Sequence, residues 1–125
     1  YRRRTRQSSE TYCMIYTSYY AKSGKHPNAV CVSVYPPPNL HGIITLDCFA
    51  PTMKMVRDIH KGLINQDEYS VLYIDLLLSR KINYGMIIKE FDEHIFCCYE
   101  KPGDFCHRHL LAAILESHGA EVREL

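Results

Sequence analysis

Short β-branched and aromatic runs, separated by amphipathic helical stretches and long crossovers, predict an α/β chain with a mostly parallel central sheet and helices on both faces. A third observation sets the scale: 125 residues suit one domain, and at that length folding removes roughly two thirds of the unfolded chain's surface from water, so a core forms without staples. Two segments are expected, a flexible basic arm or extraneous tail over residues 1–10 and a single α/β domain over residues 11–125.

The elements follow in order. "TYCMIYTS" and "AVCVSVYPPP" are rich in Tyr, Val and Ile and are bounded by "SGKHPN" and a triple proline, the pattern of buried strands with breaking loops. "GIITLDCFAP" predicts a third short strand before Pro51. "PTMKMVRDIHKG" predicts a helix with Thr52 as N-cap and Gly62 as stop, because Met55, Val56 and Ile59 recur at helical spacing. In "NQDEYSVLYIDLLLSR", Asn65 and Glu68 form a capping box ahead of Tyr69, Leu72, Tyr73, Leu76 and Leu77, spaced as one apolar face. Val71, Ile74 and Leu78 widen that face, so burial on more than one side is expected. "NYGMIIKEF" predicts a further short helix, and the continuous apolar run in "HIFCCYE" a central strand covered on both faces. Leu110, Leu111, Ile114 and Leu115 mark a last helix ended at Gly119, and "AEVREL" a final edge strand.

Composition excludes some classes. No stretch approaches the ~20 apolar residues of a bilayer span, and the basic start is not followed by the apolar region of a secretory signal. Most of the six cysteines lie inside apolar runs, where Cys behaves as a small buried hydrophobe, so reduced thiols in a cytoplasmic protein are expected rather than a disulfide framework. The net charge is only +1, but Arg2, Arg3, Arg4 and Arg6 concentrate positive charge ahead of an acidic body. That tail is either a solvated extension or an electrostatic anchor for nucleic acid phosphates.

Chemistry concentrates in "CCYEKPGDFCHRHLLAAILESHG". Its residues end a central strand, cross the carboxyl edge of the sheet and place Cys106, His107 and Arg108 in the first turns of a helix, where α/β folds bind ligands. A helix N-terminus offers free N–H groups and a positive dipole end, and Arg108 adds a forked contact to phosphate or carboxylate. The opposing reading is a plain capped helix, with Asp104 as N-cap and Arg108 paired to a nearby acid. Metal is expected to be absent: adjacent Cys97 and Cys98 point to opposite faces, and no second Cys or His pair completes a tetrahedral set. A nucleophilic cysteine fits better, because Cys106 near a helix N-terminus and beside His107 and Arg108 has its thiolate favoured.

The segments "IYTSYYAKSGKHPNAVCVSV", "FAPTMKMVRDIHKGLINQDEYSVLY" and "CCYEKPGDFCHRHLLAAILESHG" together resemble the prokaryotic and phage family catalogued as domain of unknown function 488. The likeness covers residues 14–124. It is carried by Tyr16, Thr17, Ser18 and Tyr20, by Ala50, Pro51 and Thr52, by Glu68 and Tyr69, and by Cys98, Tyr99, Glu100, Cys106, His107 and Arg108. His109 stands where small or Arg residues are more usual, and the Arg-rich start lies outside the pattern. The resemblance implies a Rossmann-like fold and a shared site around Cys-His-Arg, without supplying a reaction.

Three functions are therefore expected in order. The first is binding of an anionic ligand, a nucleotide or phosphorylated metabolite, by Thr17, Ser18, Tyr19, Tyr20, Cys98, Tyr99, Cys106, His107 and Arg108, with Tyr19 or Tyr20 stacking on a base or sugar. The second is a cysteine-dependent enzyme in which Cys106 or Cys98 attacks and His107 carries the proton. The third is a nucleic-acid-binding module using the Arg-rich start. No cofactor and no membrane partner are expected.

Overall fold

The computed structural model describes residues 4–6, 10–101 and 103–125. Its centre is a five-stranded, wholly parallel sheet. In chain order its strands are β3 (Met14–Tyr19), β4 (Ala29–Cys31), β5 (Ile44–Thr45), β6 (Ile95–Cys98) and β7 (Glu121–Glu124). Across the sheet they run β5-β4-β6-β3-β7, which makes "HIFCC" the middle strand and "AEVREL" an edge, as expected. Ahead of them β1 (Arg4–Arg6) and β2 (Glu10–Tyr12) form a separate antiparallel ribbon. The arm expected to be flexible thus contributes paired backbone. Arg2 and Arg3 lie outside the described residues.

Alternation along the strands sends successive side chains to opposite faces. Ile15, Val30, Val32 and Phe96 enter one core with Met55, Tyr69, Tyr73, Leu77, Ile88, Leu111 and Leu115. The helices supplying the latter are α2 (Met53–His60), α3 (Gln66–Ser79), α4 (Tyr84–Glu90) and α5 (His107–Ser117). Met14, Tyr16, Ala29, Cys31, Ile95 and Cys97 face the other way, onto Tyr20 of the single-turn α1 (Tyr20–Ser23) and onto Leu40 and Ile43. Helices occupy both faces, but unequally. The connection from β3 to β4 runs one way along the sheet over the thinly covered face, and those from β5 to β6 and β6 to β7 run the other way over the thick face. Opposite directions need opposite faces if every crossover is right-handed. Neighbouring β3 and β6 therefore send their connections to opposite faces, which makes the gap between them a topological switch point.

Local signals place the helices. The Thr52 side chain accepts from the Met55 amide at 3.1 Å, Gly62 follows α2 with φ +73°, and Asn65 and Glu68 close a reciprocal capping box. One expectation is corrected on α3: Val71, Leu72, Ile74 and Leu78 are exposed, and burial falls on Tyr69, Tyr73 and Leu77. Those three recur every fourth residue, a single stripe. Sheet and neighbouring helices cover only that stripe, so the apolar surplus faces solvent. No helix among the described residues is long and apolar enough to cross a membrane.

Candidate functional site

The carboxyl ends of β3 and β6 and the start of α5 bring four functional side chains together. Thr17 pairs across with Phe96 and Tyr19 with Cys98, so Cys98 and Thr17 project to the helix-covered face at the sheet's edge. The chain turns through Lys101–Asp104, closed by the Asp104 amide donating to the Lys101 carbonyl at 3.1 Å and by Gly103 at φ +93°. It then enters α5 at Cys106. Asp104 does not cap the helix, contrary to expectation: Cys106 is the N-cap, and its Sγ accepts the Arg108 amide at 3.5 Å. The reason lies in packing. Phe105 sets its ring edge-on against Tyr69 at 5.2 Å, and the helix starts after that anchor.

The sulfurs of Cys98 and Cys106 are in bonding contact, with Cα atoms 7.8 Å apart. Cys13, Cys31, Cys48 and Cys97 form no disulfide, whereas the expectation of reduced thiols is corrected for this pair because the turn folds one strand-end cysteine onto the helix cap. His107 adds its Nδ1 at 3.7 Å from Cys106 Sγ. Its Nε2 lies 2.7 Å from the Val32 carbonyl oxygen. A carbonyl only accepts, so Nε2 carries the proton and Nδ1 presents its lone pair to the sulfurs. Burial, followed by the charges of Arg108 and His109, outweighs the Val32 hydrogen bond and lowers the imidazole's pKa to about 4. Cys98 Sγ, Cys106 Sγ and His107 Nδ1 all lie within 4.8 Å of one another. Cys97 faces the other side of the sheet, and Cys106 is the cysteine that joins Cys98.

Arg108 is fully enclosed. Its Nη2 and Nε donate to the Glu124 carboxylate at 2.7 and 3.2 Å, and its Nη1 to the Glu100 carbonyl and to Cys98 Sγ, the latter at 2.9 Å. Thr17 donates its hydroxyl to the same carboxylate. Burial opposes charge on Glu124, but the hydrogen bonds from Arg108 and Thr17 and the Arg108 charge prevail and hold its pKa below the usual value. The guanidinium expected to grip an anion is thus spent on the protein.

The remaining predicted residues separate from this group. Ser18 faces the other side of the sheet, hydrogen-bonded to Ser23 at 2.7 Å. Tyr20 is buried there, its hydroxyl 2.6 Å from Ser33 Oγ and its ring edge-on to Tyr99 at 4.8 Å, which makes it core rather than a stacking platform. Tyr19 is half-buried ahead of α1. Tyr99 is exposed and donates to the Tyr35 carbonyl at 3.0 Å. It forms the rim of a cavity of about 200 Å³ whose floor includes Cys106 and His107.

Sequence reasoning missed what else lines that cavity. Tyr69 is 3% exposed, every buried side-chain nitrogen and oxygen among the described residues has a hydrogen-bond partner, and none serves the Tyr69 hydroxyl. That hydroxyl therefore opens into the cavity it lines. Burial first, then the neighbouring Glu100 charge, raises its pKa. Glu100 lines the same cavity without an ion pair among the described residues, and no Lys or Arg is among the described residues that line it. Glu124 was missed too. The signal was present: in a parallel strand beside β3, Val122 and Glu124 share a face, and Thr17 pairs with Glu124.

Two kinds of chemistry suit this arrangement. Once its bond to Cys98 is reduced, Cys106, capping a helix beside an unprotonated imidazole nitrogen, is placed to attack an electrophile, and two thiolate sulfurs with one imidazole are also the ligand types of a zinc-class ion. Comparison with protein-family models, with curated proteins and with solved structures finds no match to this chain.

Proposed function

We propose that this chain is a cysteine-dependent enzyme acting on a small, flat, phosphate-free molecule at the carboxyl edge of its sheet. One observation carries the reading: the proton-free Nδ1 of His107 and the sulfur of Cys106 sit together on the floor of a cavity. The Cys98 sulfur, held by Arg108, is bonded to that of Cys106, so attack requires an external thiol or phosphine first to reduce that bond to two thiols and free Cys106. The cavity wall selects the substrate. Aromatic and aliphatic side chains such as Tyr69, Phe105 and Val56 favour a planar apolar body, and the Glu100 carboxylate and Tyr69 hydroxyl favour a ligand carrying hydrogen-bond donors. Glu100 repels a phosphate, and of the two residues that sequence offered to hold it, Arg108 is neutralised by Glu124 and His107 is held uncharged by burial. The likeness to domain of unknown function 488 supports the same centre, since Cys98, Tyr99, Glu100, Cys106, His107 and Arg108 carry it.

A thermal-shift panel tests this reading. Free nucleobases, nucleosides and amine-bearing heteroaromatics are compared with inorganic phosphate and nucleoside 5′-phosphates, and any stabilising compound is followed for conversion by the wild type and by Cys106→Ser. Stabilisation by phosphate-free compounds, with conversion lost in Cys106→Ser, is expected. Stabilisation by phosphates alone, abolished in Arg108→Ala, overturns the reading in favour of an anion-binding domain.

A further inference from the structure

The sulfur–imidazole cluster has features that a nucleophilic cysteine alone does not require. A single attacking thiol needs one sulfur and a base, yet a second sulfur, from the end of another element, converges on the same point with its own charged donor. The two sulfurs are bonded to each other in this structure, so they become two thiolate ligands only when an external thiol or phosphine reduces that bond. Each of the three groups is also oriented from behind. Arg108 Nη1 donates to Cys98 Sγ, the Arg108 amide donates to Cys106 Sγ, and Nε2–H of His107 is fixed on the Val32 carbonyl, which commits Nδ1 to the cluster. Hydrogen bonds that pin a ligating imidazole's far nitrogen and that donate to ligating thiolates are what metal sites use to fix tautomer and charge.

We propose that Cys98 Sγ, Cys106 Sγ and His107 Nδ1 are the three protein ligands of one zinc-class ion, whose remaining position faces the cavity. Charge supports this choice. Two thiolates and a neutral imidazole cancel a divalent cation, and Arg108 is separately balanced by Glu124, so the loaded site adds no net charge to the interior. The donor set also selects the metal, because soft thiolates with one imidazole suit zinc rather than magnesium or calcium, which take oxygen ligands. Three protein ligands leave a fourth position open, as in catalytic rather than structural zinc sites. Cys106 and His107 are the two ligands that line the cavity, which puts that position on the substrate side, where Glu100 and Tyr69 also face. The inference rests on the preceding reading in taking this cluster as the reacting centre; with the ion bound, Cys106 Sγ and His107 Nδ1 are its ligands, so attack by a free Cys106 belongs to the metal-free, reduced protein.

The test uses the full chain, reduced with a phosphine, stripped with a chelator and titrated with Co²⁺ alone and then Zn²⁺ alone. The expected result is one equivalent of cobalt bound with the intense sulfur-to-cobalt absorption of two thiolates, its displacement by one equivalent of zinc, and a Tm several degrees higher with zinc than without. Cys106→Ser is expected to lose at least half of the sulfur-to-cobalt intensity, and Cys48→Ser, at a half-buried cysteine outside the cluster, to keep it. If Cys106→Ser does not fold, the wild-type titration decides alone. Absence of sulfur-to-cobalt absorption in the reduced wild type overturns the proposal, as does absorption that persists unchanged in a folded Cys106→Ser. Because no substrate enters this experiment, a negative titration removes the ion and leaves the sulfur–imidazole centre standing, whereas a failed ligand panel with a positive titration removes only the substrate class.

Discussion

Replacing Glu124 with Gln isolates the buried ion pair on which the candidate site is hung. The side chain of Arg108 is wholly enclosed and that of Glu124 is 28% exposed, with Nη2 and Oε2 2.7 Å apart. Removing one partner of a buried pair leaves an uncompensated charge, at a cost of about 3–5 kcal/mol. Water reaches Glu124 and screens part of the attraction, and Gln still accepts hydrogen bonds, so about 2–3 kcal/mol is expected here. Urea unfolding followed by circular dichroism reads that loss as a lower midpoint at unchanged slope. The pH dependence supplies a second reading. Glu124 has a folded pKa below its unfolded value, so its contribution is fully present above the unfolded carboxyl value of about 4.3 and is lost as pH falls through the folded one. The gap between wild type and variant should therefore close in acid. Adding Arg108→Met should recover part of the loss, since it removes the buried cation left uncompensated by Glu124→Gln. A loss below about 0.5 kcal/mol at neutral pH, or a gap that persists in acid, would refute the assignment of Glu124 as the counter-charge.

Two further outcomes follow from burial. His107 titrates near pH 4 in the fold against 6.5 outside it, so the unfolded chain takes up the proton first. Stability of the metal-free protein should be level above pH 6.5, fall between 6.5 and about 4, and lose about 3 kcal/mol in all. His107→Gln should remove that slope, and an unchanged slope in the variant would show that another group carries it. On α3, the same substitution at adjacent positions should give opposite results. Leu77 is 2% exposed and Leu78 is 72% exposed, so Leu77→Ala should cost about 2–4 kcal/mol and Leu78→Ala less than about 0.5. Equal losses in urea unfolding would show that something covers the outer face of α3.

Much of the fold was legible because its signals are local. Thr52, Asn65 with Glu68, and Gly62 each fix a boundary through contacts spanning a few residues, and the uninterrupted apolar run around Phe96 identifies a strand covered on both faces. The width of α3's buried face was not legible. Val71, Ile74 and Leu78 have the same hydropathy as the residues that pack, and exposure depends on whether another element lies over them, which periodicity cannot report. Nor does alternation tell how thick each layer is. Ile15 and Tyr16 are both fully or nearly buried, the first under four helices and the second under a single turn and a loop.

The site divides along the same line. Cys106, His107 and Arg108 at a helix start beyond a central strand were readable, since three adjacent residues and one turn fix them. What Arg108 does there was not. A cation near a helix N-terminus opposes the dipole and requires an anion, and sequence proximity nominates either a ligand or Asp104. The structure supplies Glu124, sixteen residues away, and it can do so only because β7 pairs with β3 rather than with β6, the strand that precedes it. Non-sequential strand order is a tertiary choice, set by which edge remains free once β6 has inserted between β4 and β3. Its consequence reaches the chemistry. With Arg108 balanced from the sheet edge, the carboxyl end of β6 keeps Glu100 as a charge with no ion pair among the described residues, and what the turn presents to a ligand is two sulfurs and an imidazole nitrogen. That changes an arginine motif into a thiolate one, and it follows from a strand that contributes no atom to the cavity.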